Sequence, residues 1–256
     1  MGIGINKLKM ELLEELVKRN LKKKYRGSFL GIIWTVLNPL LMMIILTIVF
    51  SNLFRFNIVN FPVYLLTGQI IFNFFAESTT QSMTSIIDNS QLIRKIYIDK
   101  SLFPLTSVIF SLVNTFFSII SIFIIVLITN GKISASYLLI PVFFFYLFLF
   151  SYGIGKILAT LTVYFKDIMH LYSVFLLMLM YLTPIFYPVE IIPKKYISFI
   201  HLNPLLYYVN YFRDIIYLNK FPSFQLNLLC FAFGITAYII GSYIFKKNEN
   251  MFVLKV

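Results

Sequence analysis

Apolar residues run along this chain in long stretches, broken by polar residues in only a few places. A spanning helix needs about 20 predominantly apolar residues. Residues 32–54, 61–83, 102–129, 137–164, 171–189 and 226–245 meet that requirement. The fifth is interrupted near its end by Pro184 and Pro188. Ahead of the first span, Ile5, Leu8, Leu12 and Leu16 recur at helical spacing, with Glu11, Glu14, Glu15, Lys18 and Arg19 over much of the remaining surface. That pattern predicts a helix lying in the membrane interface, apolar face down and with a cationic end near the headgroups. It serves either as a topology anchor or as a platform for an anionic lipid-linked substrate or a cytoplasmic partner. Between spans five and six, Pro184, Pro188, Pro193 and Pro204 cut the chain into apolar pieces too short to span. Irregular backbone at membrane depth is tolerated only where protein or a water-filled cavity covers it, so short re-entrant or gate helices are expected there. The pattern predicts an all-α integral membrane protein forming a single domain over 1–256. Its parts are a cytoplasmic amphipathic helix (1–31), a six-span region (32–245) and a cytoplasmic tail (246–256).

Two interruptions of the apolar pattern carry chemistry. In the second span Gln69, Asn73, Glu77, Thr80 and Thr84 recur at intervals of four and three and share one helix face. Facing lipid they would be costly, an ionised Glu especially so. They face protein or water, either as inter-helix hydrogen bonds or as the lining of a wetted pathway. Between spans two and three, NSQLIRKIYIDKSLFPL places Arg94, Lys95 and Lys100 among Leu92, Ile93, Ile96 and Tyr97. A loop that only reversed the chain needs neither the charges nor the apolar residues, so this segment is shaped to meet a partner. The region between spans five and six is crowded with aromatic residues, Tyr181, Tyr187, Tyr207 and Tyr211 among them. They form either an interfacial belt or flat faces on which sugars stack.

Composition and charge narrow the class. The chain is 59% hydrophobic and 12% charged, against about 25% charged for soluble domains. The net charge of +12 raises the possibility of nucleic-acid binding, but its distribution answers a different need. With the N-terminus inside, sixteen basic residues lie on the inner side and six (Arg55, Lys132, Lys194, Lys195, Arg213, Lys220) outside. The positive-inside rule selects that orientation, with both termini cytoplasmic. The single cysteine, Cys230, allows no intrachain disulfide, and no cleaved leader is expected because the first apolar run is too long for a signal-peptide core. His170 and His201 lie near opposite faces, and no His, Cys or carboxylate spacing suggests a metal site. GSFLG (27–31) and GIGK (153–156) are not phosphate-cradling loops. They suit close helix approach instead. Work against a gradient therefore requires nucleotide hydrolysis on another chain, and no catalytic residue is assigned to this one.

KKKYRGSFLGIIWTVLNPLL carries Tyr25, Arg26, Leu30, Gly31, Trp34, Asn38, Pro39 and Leu40. It resembles the start of the first span in permease subunits of ABC exporters for polysaccharides. A later run carries Lys166-Asp167-Ile168, Thr183-Pro184-Ile185, Tyr187-Pro188, Pro193, Asn203-Pro204 and Phe212-Arg213, and is similar to the same family. The group includes O-antigen, capsule and teichoic-acid exporters. The resemblance implies a homodimeric, multi-pass permease of the bacterial inner membrane with a cytoplasmic ATPase subunit beneath each copy. ATP and Mg²⁺ would be bound on that subunit. The substrate would be a glycan on an undecaprenyl (di)phosphate carrier. Residues 88–101 would be the coupling helix, with Leu92, Ile93, Ile96 and Tyr97 entering a cleft of the ATPase and Arg94, Lys95 and Lys100 meeting its rim. The proline-cut segment would be an outer gate. Two other classes stay in view: a membrane-embedded transferase acting on polyprenyl-linked sugars, and a secondary transporter, for which Glu77 is the main support.

Overall fold

The computed structural model describes residues 2–53, 58–95 and 98–255. Ile96, Tyr97 and Arg55 lie outside the described residues. Within them all regular structure is helical. In chain order the helices are α1 (Gly2–Tyr25), α2 (Trp34–Leu53), α3 (Phe61–Asp88), α4 (Ser90–Lys95) and α5 (Leu102–Ile128). They are followed by α6 (Ile140–Tyr164), α7 (Ile168–Leu182), α8 (Lys194–His201), α9 (Pro204–Ile216) and α10 (Phe224–Lys255). Four stretches are long and apolar enough to cross a membrane: Gly31–Phe50, Leu102–Ile128, Ala135–Tyr164 and Phe224–Lys255. The chain is an integral membrane protein.

α3 is 28 residues long, yet its polar stripe keeps it from reading as strongly apolar. It can afford that because protein surrounds it. It packs against α2, α5, α6 and α9, burying Leu65, Leu66, Ile71 and Phe74 together with Thr67, Ser78, Thr79 and Ser82. The helices with the plainest apolar sequences turn their apolar residues outward, as Ile44, Ile45 and Ile48 of α2 and Leu171, Val174 and Phe175 of α7 do. A membrane helix tolerates polar side chains where other helices satisfy them.

α2 and α5 are joined by a hydrogen-bond exchange that a proline makes necessary. Pro39 lies inside α2 and has no N–H to donate to the carbonyl four residues back. That carbonyl belongs to Thr35, and it accepts instead from Ser118 Oγ of α5 at 3.0 Å. Ser121 Oγ donates to the neighbouring Val36 carbonyl at 2.9 Å. α6 and α10 cross backbone to backbone. A Cβ at Gly241 would sit well under 3.0 Å from the Gly153 carbonyl, and one at Gly153 would strike the Ala237–Tyr238 backbone.

The structure gives detail to three expected elements. The fifth span, expected over 171–189, is the 15-residue α7, about 22 Å long at 1.5 Å per residue and short for a hydrocarbon core of about 30 Å. It stops because Thr183 precedes a proline and takes an extended conformation (φ −93°, ψ 123°), which the proline ring favours in the residue before it. The tail expected from 246 continues α10 as helix to Lys255. Finally, the apolar face of α1 meets protein. Leu16 is buried with Ile86, Ile93, Phe103, Phe245 and Phe252, and α1 leans along α5 until Tyr25 bonds Asn114.

Candidate functional site

The turn from α1 into α2 depends on Gly27 (φ 76°) and Gly31 (φ 52°), both in a region that side chains with a Cβ rarely adopt. Ser28 Oγ accepts from the Gly31 N–H at 3.1 Å. This reversal brings the end of α1 and the start of α2 together over α3 and α5. A groove of about 430 Å³ opens there, with Lys24, Tyr25, Trp34, Asn38, Asn73 and Glu77 in its walls.

Glu77 is the polar centre of the groove. Its Oε1 accepts from Lys24 Nζ at 2.6 Å, from Gln81 Nε2 at 3.3 Å and from Asn114 Nδ2 at 3.2 Å. Tyr25 donates its hydroxyl to Asn114 Oδ1 at 3.0 Å. Burial, and then the charge of Glu77, push the Tyr25 phenol to about 12, so it remains a donor at any physiological pH. The Lys24 ammonium lies 5.5 Å from the Phe110 ring centre and 5.7 Å from that of Tyr25, within cation–π range. Past Glu77 a second recess of about 670 Å³ continues toward Arg19, Lys23, Thr84 and Asp88. The α1 wall is cationic and the α3 wall carries carboxylates and amides. Such a groove can hold an anionic group at one wall and hydroxyl groups at the other.

Residues that looked unrelated in the sequence meet here. Tyr25, Trp34, Asn38 and Pro39 came from one motif and Asn73 and Glu77 from the polar stripe, yet they line one space. Not all of the stripe joins them. Thr80 is exposed on α3, whereas Gln69 is buried with no hydrogen bond to its Oε1 among the described residues.

The segment expected to enter a partner's cleft is largely committed within this chain. α4 is a six-residue helix. Its Ile93 is buried in the cluster with Leu16, Phe103 and Phe245, and Leu92 packs at the edge of that cluster. Lys100 Nζ donates to the Glu249 carbonyl of α10 at 2.6 Å. Ile93 and Lys100 are thus engaged within this chain in this conformation. Arg94 and Lys95 are exposed.

The aromatic segment divides similarly. Tyr181 is exposed. Tyr187 is half-buried and donates to the Tyr181 carbonyl. Tyr207 is half-buried, donating to the His201 carbonyl at 3.0 Å and tilted against Phe233 at 5.6 Å. Tyr211 is fully buried, 5.5 Å from Phe143, and so cannot meet a passing polymer in this conformation. The helical spacing that put Tyr207 and Tyr211 on one face did not reveal that α6 covers the second of them.

Arg213 stood in the sequence as an outer basic residue and as part of Phe212-Arg213, and the structure shows what it holds. It is buried, stacks its guanidinium 3.5 Å from the Tyr64 ring centre and donates Nη1 to the Pro184 carbonyl at 2.9 Å. Its Nη2 donates to the Ile185 carbonyl at 3.2 Å and the Tyr64 carbonyl at 3.3 Å. Asn203 completes the junction: its Oδ1 caps α9 through the Leu205 N–H at 3.0 Å and its Nδ2 donates to Thr183 Oγ1 at 2.8 Å. Thr183-Pro184-Ile185 and Phe212-Arg213 were both visible in the sequence, but the contact between them was not.

Residues 11–217 match the ABC-2 type transporter membrane family. Among similar proteins, an O-antigen export system permease protein RfbA of Klebsiella pneumoniae is 31% identical over 244 residues, covering 94% of this chain and 93% of that protein. A protein of the same name from Myxococcus xanthus is 28% identical over 94% of each. The polysialic acid transport protein KpsM of Escherichia coli is 24% identical over 93% of each.

Proposed function

The chain belongs to the ABC-2 type transporter membrane family, and from that premise we propose that it is the permease subunit of an ATP-driven exporter of lipid-linked polysaccharide. The observation that carries this reading is the groove around Glu77. It sets cations, a carboxylate, amides and the rings of Tyr25 and Trp34 along one accessible face of a buried helix. A carrier phosphate suits the cations of α1, and sugar hydroxyls suit Asn38, Asn73 and Glu77. The names of the relatives, which concern O-antigen and polysialic acid, point to the same substrate class. An undecaprenyl phosphate or diphosphate carrier is the lipid we assign.

In this reading α2, α3, α5, α6, α7 with the turn after it, and α10 make six passes. Both termini then lie on the cytoplasmic side of the inner membrane, and α8 and α9 form the outer gate. Two copies make the working unit, each above an ATPase chain that supplies ATP and Mg²⁺ chemistry. The exposed Arg94 and Lys95 of α4 meet that chain. The Lys24–Glu77 ion pair at 2.6 Å favours this reading over a secondary transporter, since a carboxylate already neutralised by lysine is a poor carrier of a coupling ion.

The test is a deletion strain complemented by tagged chain. Lipid-linked polymer is expected to accumulate inside the deletion strain and an ATPase chain to co-purify with the tagged protein. An unchanged cell surface after deletion, together with a tagged chain that purifies without an ATPase, would overturn the proposal.

A further inference from the structure

A separate cavity of about 980 Å³ lies between α1, α5, α6 and α10, away from the Glu77 groove. Four lysines line it: Lys9, Lys100, Lys156 and Lys246. Among the described residues two acids, Asp99 and Glu249, share its walls. Asp99 is committed to Lys9 at 2.9 Å, and Lys100 donates to the backbone carbonyl of Glu249 at 2.6 Å.

Lys156 is the unusual member. It sits inside α6, 6% exposed. Its ammonium is held by Ser242 Oγ at 3.0 Å and by the ring faces of Tyr152 at 4.0 Å and Tyr238 at 4.9 Å. Among the described residues no carboxylate forms an ion pair with it. Buried charges are ordinarily paired, because taking an ion out of water is expensive. A hydroxyl and two rings supply no direct counter-charge. Asp99, which acts on Lys156 across the cavity, is itself paired with Lys9, so four lysines against two acids leave the cavity with an excess of positive charge.

The depth of the cavity suits a membrane lipid. Tyr152 donates its hydroxyl to the Ser101 carbonyl at 3.2 Å, which puts this part of α6 level with the residue before α5, where the apolar run of α5 begins. Leu12, Leu102 and Phe245 make an apolar wall beside the lysines. On the same helix as Phe245, Ile239, Ile240 and Tyr243 are exposed. The space is far larger than one inorganic anion needs, and it combines a cationic floor with an apolar side.

We propose that this cavity is a binding site for the headgroup of an anionic glycerophospholipid. The phosphate lies between Lys156 and Lys246, and the acyl chains follow the outer face of α10. Basic pockets between membrane helices recognise headgroups in this way, each lysine near the surface being worth about 5-fold in affinity. The site is independent of the transported substrate.

Native mass spectrometry of the delipidated full chain, titrated with phosphatidylglycerol or phosphatidylcholine, tests it. One phosphatidylglycerol per chain is expected to persist, at least about 5-fold preferred over phosphatidylcholine. Lys246→Gln, at an exposed position that does not disturb folding, is expected to lower that preference about 5-fold. Lys156→Met is expected to abolish it and Lys156→Arg to keep it. Equal retention of the two lipids by the unmodified chain, or an undiminished preference in Lys246→Gln, overturns the proposal. So does displacement of phosphatidylglycerol by inorganic phosphate alone, or stronger retention of a polyprenyl phosphate, since either assigns the cavity to another anion.

Discussion

Arg213 of α9 donates Nη1 to the Pro184 carbonyl at 2.9 Å, so the turn that ends α7 is bonded to a helix that begins twenty residues later. The guanidinium also reaches the Ile185 carbonyl, at the same break after α7, and the Tyr64 carbonyl of α3. The Pro184 carbonyl also accepts from the Tyr64 hydroxyl and the Tyr64 carbonyl from Thr67 Oγ1, so Arg213→Ala is expected to strand the Ile185 carbonyl, at about 1–3 kcal/mol. Arg213→Lys is expected to be intermediate, because an ammonium lacks the planar fork. Thermal unfolding in detergent measures both. A lysine variant as stable as the native chain would show that charge alone suffices.

The Thr35–Ser118 bond makes a sharper test. Ser118→Ala is expected to cost about 1–3 kcal/mol, since the Thr35 carbonyl then has no donor. In a Pro39→Ala background residue 39 regains an N–H for that carbonyl, and Ser118→Ala is expected to cost almost nothing more. A double-mutant cycle measures the difference. Additive losses would separate Ser118 from the proline.

Lys24 and Glu77 are partly exposed, at 39% and 26% of their side-chain surface, so their pairing is worth at most about 1 kcal/mol. Glu77→Gln is expected to leave stability nearly unchanged while reducing export. The exchanged pair Lys24→Glu/Glu77→Lys is expected to recover more export than either single change. Export indifferent to all four variants would return this stripe to helix packing.

Tyr211 is fully buried and its hydroxyl has no hydrogen-bond partner among the described residues. Tyr211→Phe is therefore expected to match or exceed the native unfolding temperature, because an unpaired buried hydroxyl is a cost. Tyr211→Ala is expected to lose about 3–5 kcal/mol through the cavity it leaves. A stability loss in Tyr211→Phe comparable to that in Tyr211→Ala would mean that the hydroxyl is bonded. The exposed Tyr181 is the better place to look for polymer contact.

The Lys9–Asp99 contact sets a pH window for the docking of α1. Burial pushes the Asp99 carboxyl up, but Lys9 and Ser101 outweigh it and hold it below its ordinary 3.8. Its contribution is complete above 3.8 and disappears as pH falls through the lower folded value. Lys9, bonded to Asp99, is raised above 10.5. Its contribution is complete below 10.5 and lost as pH rises through the higher folded value. Hydrogen-exchange protection of α1 is thus expected to be flat from about pH 5 to about pH 9 and to weaken in high salt. Protection that changes near neutrality would point to a different titrating group.

Taken alone, the sequence determined the membrane class, the long helices and the places where they break. Length and hydropathy set the spans at α2, α5, α6 and α10. Pro184 ended α7 because a residue before proline resists the helical conformation, whereas Gly27 and Gly31, expected to serve close helix approach, have no atom within 4 Å of a Cβ and serve the positive-φ reversal into α2 instead. It also placed Asn73 and Glu77 on one face of α3. Only the tertiary structure decided what covers each face. Lipid and protein interior select the same apolar side chains, so hydropathy does not say which of them a residue will meet. Ile93 and Arg94 are neighbours on one short helix, yet one is buried in the chain's own cluster and the other is exposed. Tyr207 and Tyr211 share a helical face, yet α6 closes over only the second. Apart from Gln81 beside Glu77 on α3, the partners of Arg213 and Glu77 lie more than twenty-five residues away in the chain, from Pro184 and Asn114 to Tyr64 and Lys24. Such pairings follow from how helices stack, which no local period encodes.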